Sequence, residues 1–190
     1  GLLAGGRNLP VEGGDSTQTA RERQLAYCVA GANTIIFEKG RLMPKDSGMG
    51  TTVVAVLADC KTLTVAHVGD SRLYLFRRGR LELLTEDHSV VQDQLRRGLI
   101  TPDEASKSNL QNMLTRALGI EVNVKVDVSE HPLLPEDVFL LASDGLTKML
   151  SDTEIAGVVA QEQSPKAMVA SLIERARAAG LDGVEDVLGA

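Results

Sequence analysis

The first clear pattern of apolar and polar positions predicts a helix followed by two β-hairpins. Between residues 17 and 39, apolar side chains recur at the spacing of one helix face. Two β-branched, apolar runs at 51–58 and 62–68 flank a short polar turn, and we expect them to form a hairpin buried on both faces. A second hairpin is predicted at 72–76 and 81–84, around a turn that contains glycine.

The middle of the chain predicts two short helices and two further strands. Asp87 is placed to cap a helix that ends at Gly98, and Thr101 begins a second helix through a capping box. Residues 122–128 alternate between valine and polar side chains, which predicts a half-buried strand. A fully buried strand is predicted at 138–142.

Two longer helices complete the pattern. A capping box at Ser151 opens one of them, and the pair Ser164-Pro165 opens the other. Strands paired in hairpins, rather than alternating singly with helices, favour an antiparallel α+β architecture over a doubly wound sheet. We expect residues 1–190 to form a single domain, in which residues 1–16 are a loop or the remnant of something larger.

Composition and charge narrow the classes of function. The chain is 43% hydrophobic and 24% charged, as is usual for a folded globular protein. Its formal net charge is -6 with acidic residues spread along the chain, so we expect no nucleic-acid partner. The sequence shows no membrane-spanning stretch and no signal-peptide pattern, so we expect a cytoplasmic protein that has no membrane partner and acts as a monomer.

Two short motifs are candidates for chemistry. Asp70 lies in Gly-Asp-Ser and Asp144 in Ser-Asp-Gly, and each motif follows a predicted apolar strand. Carboxylates that project from the ends of strands are suitable oxygen ligands for Mg²⁺ or Mn²⁺. Aspartate beside glycine is also the ordinary composition of a turn, so the residues alone leave both interpretations open.

Five further motifs follow one another along the chain. They are Gly-Met-Gly-Thr-Thr at 48–52, Ala-His-Val-Gly-Asp-Ser-Arg-Leu-Tyr at 66–74, Leu-Thr-Glu-Asp-His-Ser at 84–89, Leu-Thr-Arg-Ala-Leu-Gly at 114–119 and Asp-Val-Phe-Leu-Leu-Ala-Ser-Asp-Gly-Leu at 137–146. In order and spacing, these motifs resemble the bacterial members of the PP2C (PPM) family of metal-dependent protein phosphatases, over about residues 17–180. The resemblance implies an αββα sandwich of two antiparallel sheets flanked by helices, incomplete at its N-terminus, with two Mn²⁺ or Mg²⁺ ions at one end of the sheets.

The resemblance also implies an activity. The family hydrolyses phosphoserine and phosphothreonine in proteins through a metal-activated water, without a covalent phosphoenzyme. The expected partners are therefore phosphorylated proteins, substrates of bacterial Ser/Thr kinases. Residues 86–112 resemble the mobile flap beside the active site, which influences substrate handling, and His88 opens this segment. A lone histidine is also often a helix cap or a surface residue.

Individual metal ligands are implied by the same motifs. Asp144 resembles the family's ligand to the second metal ion. Asp70 resembles the carboxylate that helps to bind a third, weaker ion in bacterial members. For the ligand near the C-terminus, Asp182 is the first candidate and Asp186 the second.

The chain departs from the family pattern at its N-terminal end. The family has a phosphate-binding arginine and an Asp-Gly-Met-Gly-Gly turn whose aspartate bridges two metal ions, but here Ser47 precedes Gly-Met-Gly. Arg7 and Arg21 are not in matching contexts. The chain is therefore expected to be a fragment or a degenerate copy. A pseudophosphatase that binds partners without turnover is the alternative hypothesis, and an unrelated α+β scaffold with turn carboxylates is a third.

Overall fold

A computed structural model describes residues 17–42, 48–162 and 164–180. Its elements follow the predicted order, with one additional short helix after the last strand. In chain order they are α1 (Ala20–Leu42), β1 (Val53–Ala58), β2 (Thr62–Val68), β3 (Arg72–Arg77), β4 (Arg80–Leu83), α2 (Val90–Arg96), α3 (Pro102–Ser106), β5 (Asp127–Pro132), β6 (Val138–Ala142), α4 (Asp144–Thr147), α5 (Asp152–Gln161) and α6 (Pro165–Ala178).

The strands of the described ranges form two antiparallel sheets, ordered β1-β2-β5 and β4-β3-β6. Both predicted hairpins are confirmed. The turn of the second passes through Arg78 and Gly79 at φ of 50° and 76°, and positive φ at both positions gives the twist that a two-residue hairpin turn needs. The expected burial of the first hairpin is wrong for β1, because this strand lies at a sheet edge and Val56 is 38% exposed.

The two sheets stack face to face between helices. Successive side chains of β2 point to opposite faces, so Ala66 packs with Val29 of α1 while Val65 packs with Leu73 of β3. On the far side of the second sheet, Ala142 of β6 packs against α4, α5 and α6. The layer order is helix, sheet, sheet, helix, which confirms the predicted α+β class and αββα sandwich. The other buried residues of the outer layer are Leu146, Leu150, Ile155, Val158, Val159, Leu172 and Ala176.

Local capping chemistry sets where several helices begin. The capping boxes predicted at Thr101 and Ser151 are both formed, and the Ser164 hydroxyl accepts a hydrogen bond from the first turn of α6. The predicted cap at Asp87 is wrong, because Ser89 caps α2 instead. The carboxylate of Asp87 is held by an arginine from β3, which removes it from competition for the helix terminus.

The predicted strand at 122–128 is displaced along the chain. Strand β5 begins only at Asp127, whereas Val124 and Val126 lie before it and still pack against the core beside α1. The buried side-chain amide of Asn33 donates to the carbonyls of Glu121 and Val122, at 3.0 and 3.1 Å. The last three valines of the alternation therefore pack beside α1, whereas Val122 is 62% exposed and its carbonyl bonds to the helix instead of to a neighbouring strand.

Candidate metal centre

Asp70 and Asp144 come from strands that belong to different sheets. Asp70 follows the end of β2, and Asp144 begins α4 just after β6. Gly69 has a φ of 107°, and a Cβ at this position would collide with the side chain of Thr52. Glycine is therefore required for the turn that carries Asp70. Both aspartates line one cavity of about 190 Å³ at this end of the sandwich.

The two carboxylates influence each other. Burial, followed by the negative charge of Asp144, raises the pKa of Asp70 above its usual value. The guanidinium of Arg72 lines the same cavity but donates to both carboxylate oxygens of Asp87, at 2.9 Å from Nε and 2.7 Å from the terminal nitrogen. Asp70 and Asp144 are thus not bound by this arginine. Two carboxylates converging on one cavity are the hard oxygen donors that fit Mg²⁺ or Mn²⁺.

Arg72 belongs to a hydrogen-bond network next to the candidate metal centre. Its pKa is raised by the hydrogen bonds to Asp87, and it also donates to the hydroxyl of Tyr74 at 3.1 Å. That hydroxyl donates to Asp152, the first residue of α5, at 2.9 Å. Burial raises the pKa of Tyr74 to about 12. This hydrogen-bond network joins β3 to both α5 and the segment around Asp87.

His88 is buried beside Asp70, with 3% of its surface exposed. Its backbone N–H donates to the carbonyl of Gly69 at 2.9 Å, and its ring Nδ1 accepts from the N–H of Gly69 at 3.1 Å. Because Nδ1 accepts, Nε2 carries the proton and donates to Asp127 at 3.1 Å. His88 thus fixes the backbone next to Asp70.

Asp127 is the centre of a second hydrogen-bond network, which includes His88. Arg116 donates to both of its carboxylate oxygens, at 2.8 and 3.1 Å. The hydrogen bond from His88 and the paired Arg116 hold the pKa of Asp127 well below its usual range. Opposite Asp127 on β2 lies His67, whose ring stacks on that of His88 with centroids 4.7 Å apart.

His67, His88 and Asp127 are close enough together to resemble a metal site, but their hydrogen bonds indicate a structural cluster. His67 Nε2 donates to the carbonyl of Glu86 at 2.9 Å, and burial lowers the pKa of His67. Both ring nitrogens of His88 and both oxygens of Asp127 also have protein partners. A metal ion here would have to break hydrogen bonds that these groups already make within the protein.

A family model, Protein phosphatase 2C, matches residues 29–183 of this sequence. The chain belongs to the PP2C family. The resemblance inferred from the five motifs is thereby confirmed.

Named PP2C relatives extend this result. The chain is 43% identical over 118 residues to the serine/threonine phosphatase stp of Listeria welshimeri, a match that covers 62% of this chain and 47% of the relative. It is 37% identical over 172 residues to a putative protein phosphatase 2C-type of Streptococcus pyogenes, covering 90% of this chain and 70% of the relative. The match to the Listeria protein thus spans about half of that relative's length.

A solved PP2C structure has the same architecture. The catalytic domain of the serine/threonine protein phosphatase PstP, in complex with two manganese ions, aligns with a TM-score of 0.76 and 33% sequence identity. The alignment covers 84% of this chain and 66% of that chain. None of the helices in the described ranges has the length and apolar content needed to span a bilayer.

The segment that resembles the PP2C flap is anchored at its base. Val90 N–H donates to the carbonyl of Met113, and Thr115 N–H donates to the carbonyl of His88, both at 2.8 Å. From this base, Gln92 and Gln111 extend to the wall of the cavity that holds Asp70 and Asp144. The segment therefore closes one side of the candidate metal centre.

The two candidates for the C-terminal metal ligand, Asp182 and Asp186, lie outside the described residues, as do Arg7 and Ser47. Arg21 forms an ion pair with Asp59 at 2.6 Å, in the turn at the opposite end of β2 from Asp70. The network of His67, Arg116 and Asp127 was not predicted from the sequence, although His67 and Arg116 lie inside motifs.

Proposed function

We propose that this chain is part of a metal-dependent protein serine/threonine phosphatase in which Asp144 and Asp70 are metal ligands. The observation that carries the proposal is the convergence of these two carboxylates, from different sheets, on one cavity. Asp182, or Asp186 in second place, is the ligand near the C-terminus in this proposal. The relatives support it, because they are named as serine/threonine phosphatases and one structure holds two manganese ions.

The residues of the chain have distinct tasks in this function. A bound divalent cation offsets charge on the phosphoryl oxygens and makes water more acidic. Asp70 and Asp144 supply the negative charge that holds such cations, and His88 keeps the backbone beside Asp70 in place. Gln92 presents a neutral polar group on the flap side, suitable for hydrogen bonds to a phosphopeptide, whereas the side-chain amide of Gln111 donates to the carbonyls of Ala105 and Ser106.

Proteins phosphorylated by bacterial Ser/Thr kinases are the substrates in this proposal, with residues 86–112 acting as the flap. The anchored base and the polar face of this segment agree with such a role. A pseudophosphatase is the less favoured alternative, since the relatives are named as phosphatases. It remains distinguishable, because it would bind phosphopeptide without releasing phosphate.

The test is the release of phosphate from a phosphothreonine peptide by the 190-residue chain with added Mn²⁺. We expect Asp144→Asn to reduce kcat/KM by about a hundredfold or more, because one ligand to a catalytic cation is removed. Glu174→Gln is the control, since Glu174 is an exposed acidic residue of α6, outside the flap segment, and does not line the cavity. A folded chain that releases no phosphate at any Mn²⁺ concentration would indicate a fragment or a pseudophosphatase, and restoring the upstream strands would separate the two. Inactivity that persists with those strands restored would contradict the proposed activity.

A further inference from the structure

Lys148 is a basic residue placed directly at the candidate metal centre. It follows α4, four positions after Asp144, so the helix brings both side chains to one face. Lys148 Nζ lies 2.5 Å from Asp144 Oδ2. Both residues line the cavity that also contains Asp70.

The ammonium group of Lys148 acts on both carboxylates. It pairs directly with Asp144, and its positive charge opposes the upward shift that burial and Asp144 cause in the pKa of Asp70. The other basic residue that lines this cavity within the described ranges, Arg72, is bound to Asp87. Lys148 therefore supplies the positive charge for the two carboxylates.

We propose that Lys148 is a tethered counter-cation that competes with divalent metal ions for Asp144 and thereby lowers their affinity. This inference rests on the metal assignment in the proposed function. A metal ion at Oδ2 of Asp144 has to displace the ammonium group, and a metal ion at Oδ1 is repelled by the ammonium group nearby. The side chain can move aside, since it is 35% exposed and has a flexible four-carbon stem.

The expected size of the effect follows from the exposure of the pair. Asp144 is 49% exposed, so solvent screens its interaction with Lys148. Ion pairs at such sites change an equilibrium constant by up to about fivefold. Repulsion between the ammonium and a divalent cation adds to this competition. Removing the charge of Lys148 should therefore tighten metal binding by roughly three- to tenfold.

The experiment is calorimetric titration of the 190-residue chain with Mn²⁺, without substrate. Lys148→Met removes the charge but keeps a long side chain with good helix propensity, and Lys148→Arg keeps the charge. Lys107→Met is the matched control, because Lys107 Nζ forms the same i,i+4 ion pair, with Asp103 at 2.8 Å, but does not line the cavity. We expect a lower Kd for Lys148→Met alone, with Lys148→Arg and Lys107→Met within about twofold of the wild type.

The outcomes separate this inference from the proposed function. Mn²⁺ binding that is lost in Asp144→Asn but has the same Kd in Lys148→Met would overturn the inference alone. No Mn²⁺ binding in either the wild type or Lys148→Met would overturn the metal assignment as well. Equal tightening in Lys148→Met and Lys107→Met would reduce the effect to net charge and also overturn the inference. A lower Tm for Lys148→Met without tighter binding would assign the residue a structural role instead.

Discussion

Asp70 and Asp127 are partly buried carboxylates at the same end of the sandwich, on either side of His88, yet their surroundings are opposite. Asp127 accepts hydrogen bonds from Arg116 and His88, which hold its pKa well below the usual range. Burial and the charge of Asp144 raise the pKa of Asp70. The short distances between His67, His88 and Asp127 alone would suggest a metal site there. Because those groups already have hydrogen-bond partners in the protein, the cavity at Asp70 is the better candidate. The candidate cation site is thus the one where the protein compensates the negative charge only in part, through Lys148.

The largest effect on stability is expected from removing the charge of the satisfied carboxylate. Asp127→Asn keeps the shape of the side chain but weakens the bonds to Arg116 and His88. Loss of charge-assisted bonds at a site that is 30% exposed should lower the free energy of unfolding by about 2–3 kcal/mol. Urea denaturation at pH 7 measures this difference. Asp93→Asn, which breaks ion pairs on the exposed side of α2, should change stability by less than about 1 kcal/mol.

The stability difference between the wild type and Asp127→Asn should also depend on pH. A carboxyl whose pKa is lower in the folded state contributes stability that is complete above its unfolded pKa of about 4 and is lost as the pH falls further. The wild type should therefore keep its full advantage over Asp127→Asn from pH 7 to about pH 4 and lose it progressively below. Urea midpoints of both proteins across this range measure the difference. A difference that is already halved at pH 5.5 would show that Asp127 is not the group responsible.

Local chemistry explains which parts of this fold were predictable from the sequence. Both hairpins and the capping boxes depend on neighbouring residues, so their patterns were sufficient. Asp87 satisfies the same local rule for a cap, but Arg72, distant in sequence, binds it in the folded chain. The pattern at 122–128 indicated the packing of its last three valines, but it could not show that Val122 is exposed or that Asn33 binds the carbonyls there.

The candidate site was likewise predictable from the sequence only in part. Asp70 and Asp144 were identifiable as carboxylates next to glycine at strand ends, and the motifs gave them a role. Their meeting in one cavity depends on how the two sheets stack, which no local pattern specifies. Lys148 did have a local signal, since it lies four residues after Asp144, the spacing of a helical ion pair.

The smallest expected effect belongs to Asp70, the carboxylate whose charge is compensated less completely than that of Asp127. Asp70→Asn removes a partly buried negative charge that faces Asp144, so in chelator-treated protein at pH 7 it should leave stability unchanged or raise it by up to about 1 kcal/mol. The sign is opposite to that of Asp127→Asn, and urea denaturation of both variants side by side reads it directly. With added Mn²⁺ the wild type should become more stable than Asp70→Asn, because binding to the folded state stabilises the wild type more than a variant that lacks a ligand. A loss of 2 kcal/mol or more in Asp70→Asn without metal would instead mean that Asp70 supports the fold as Asp127 does.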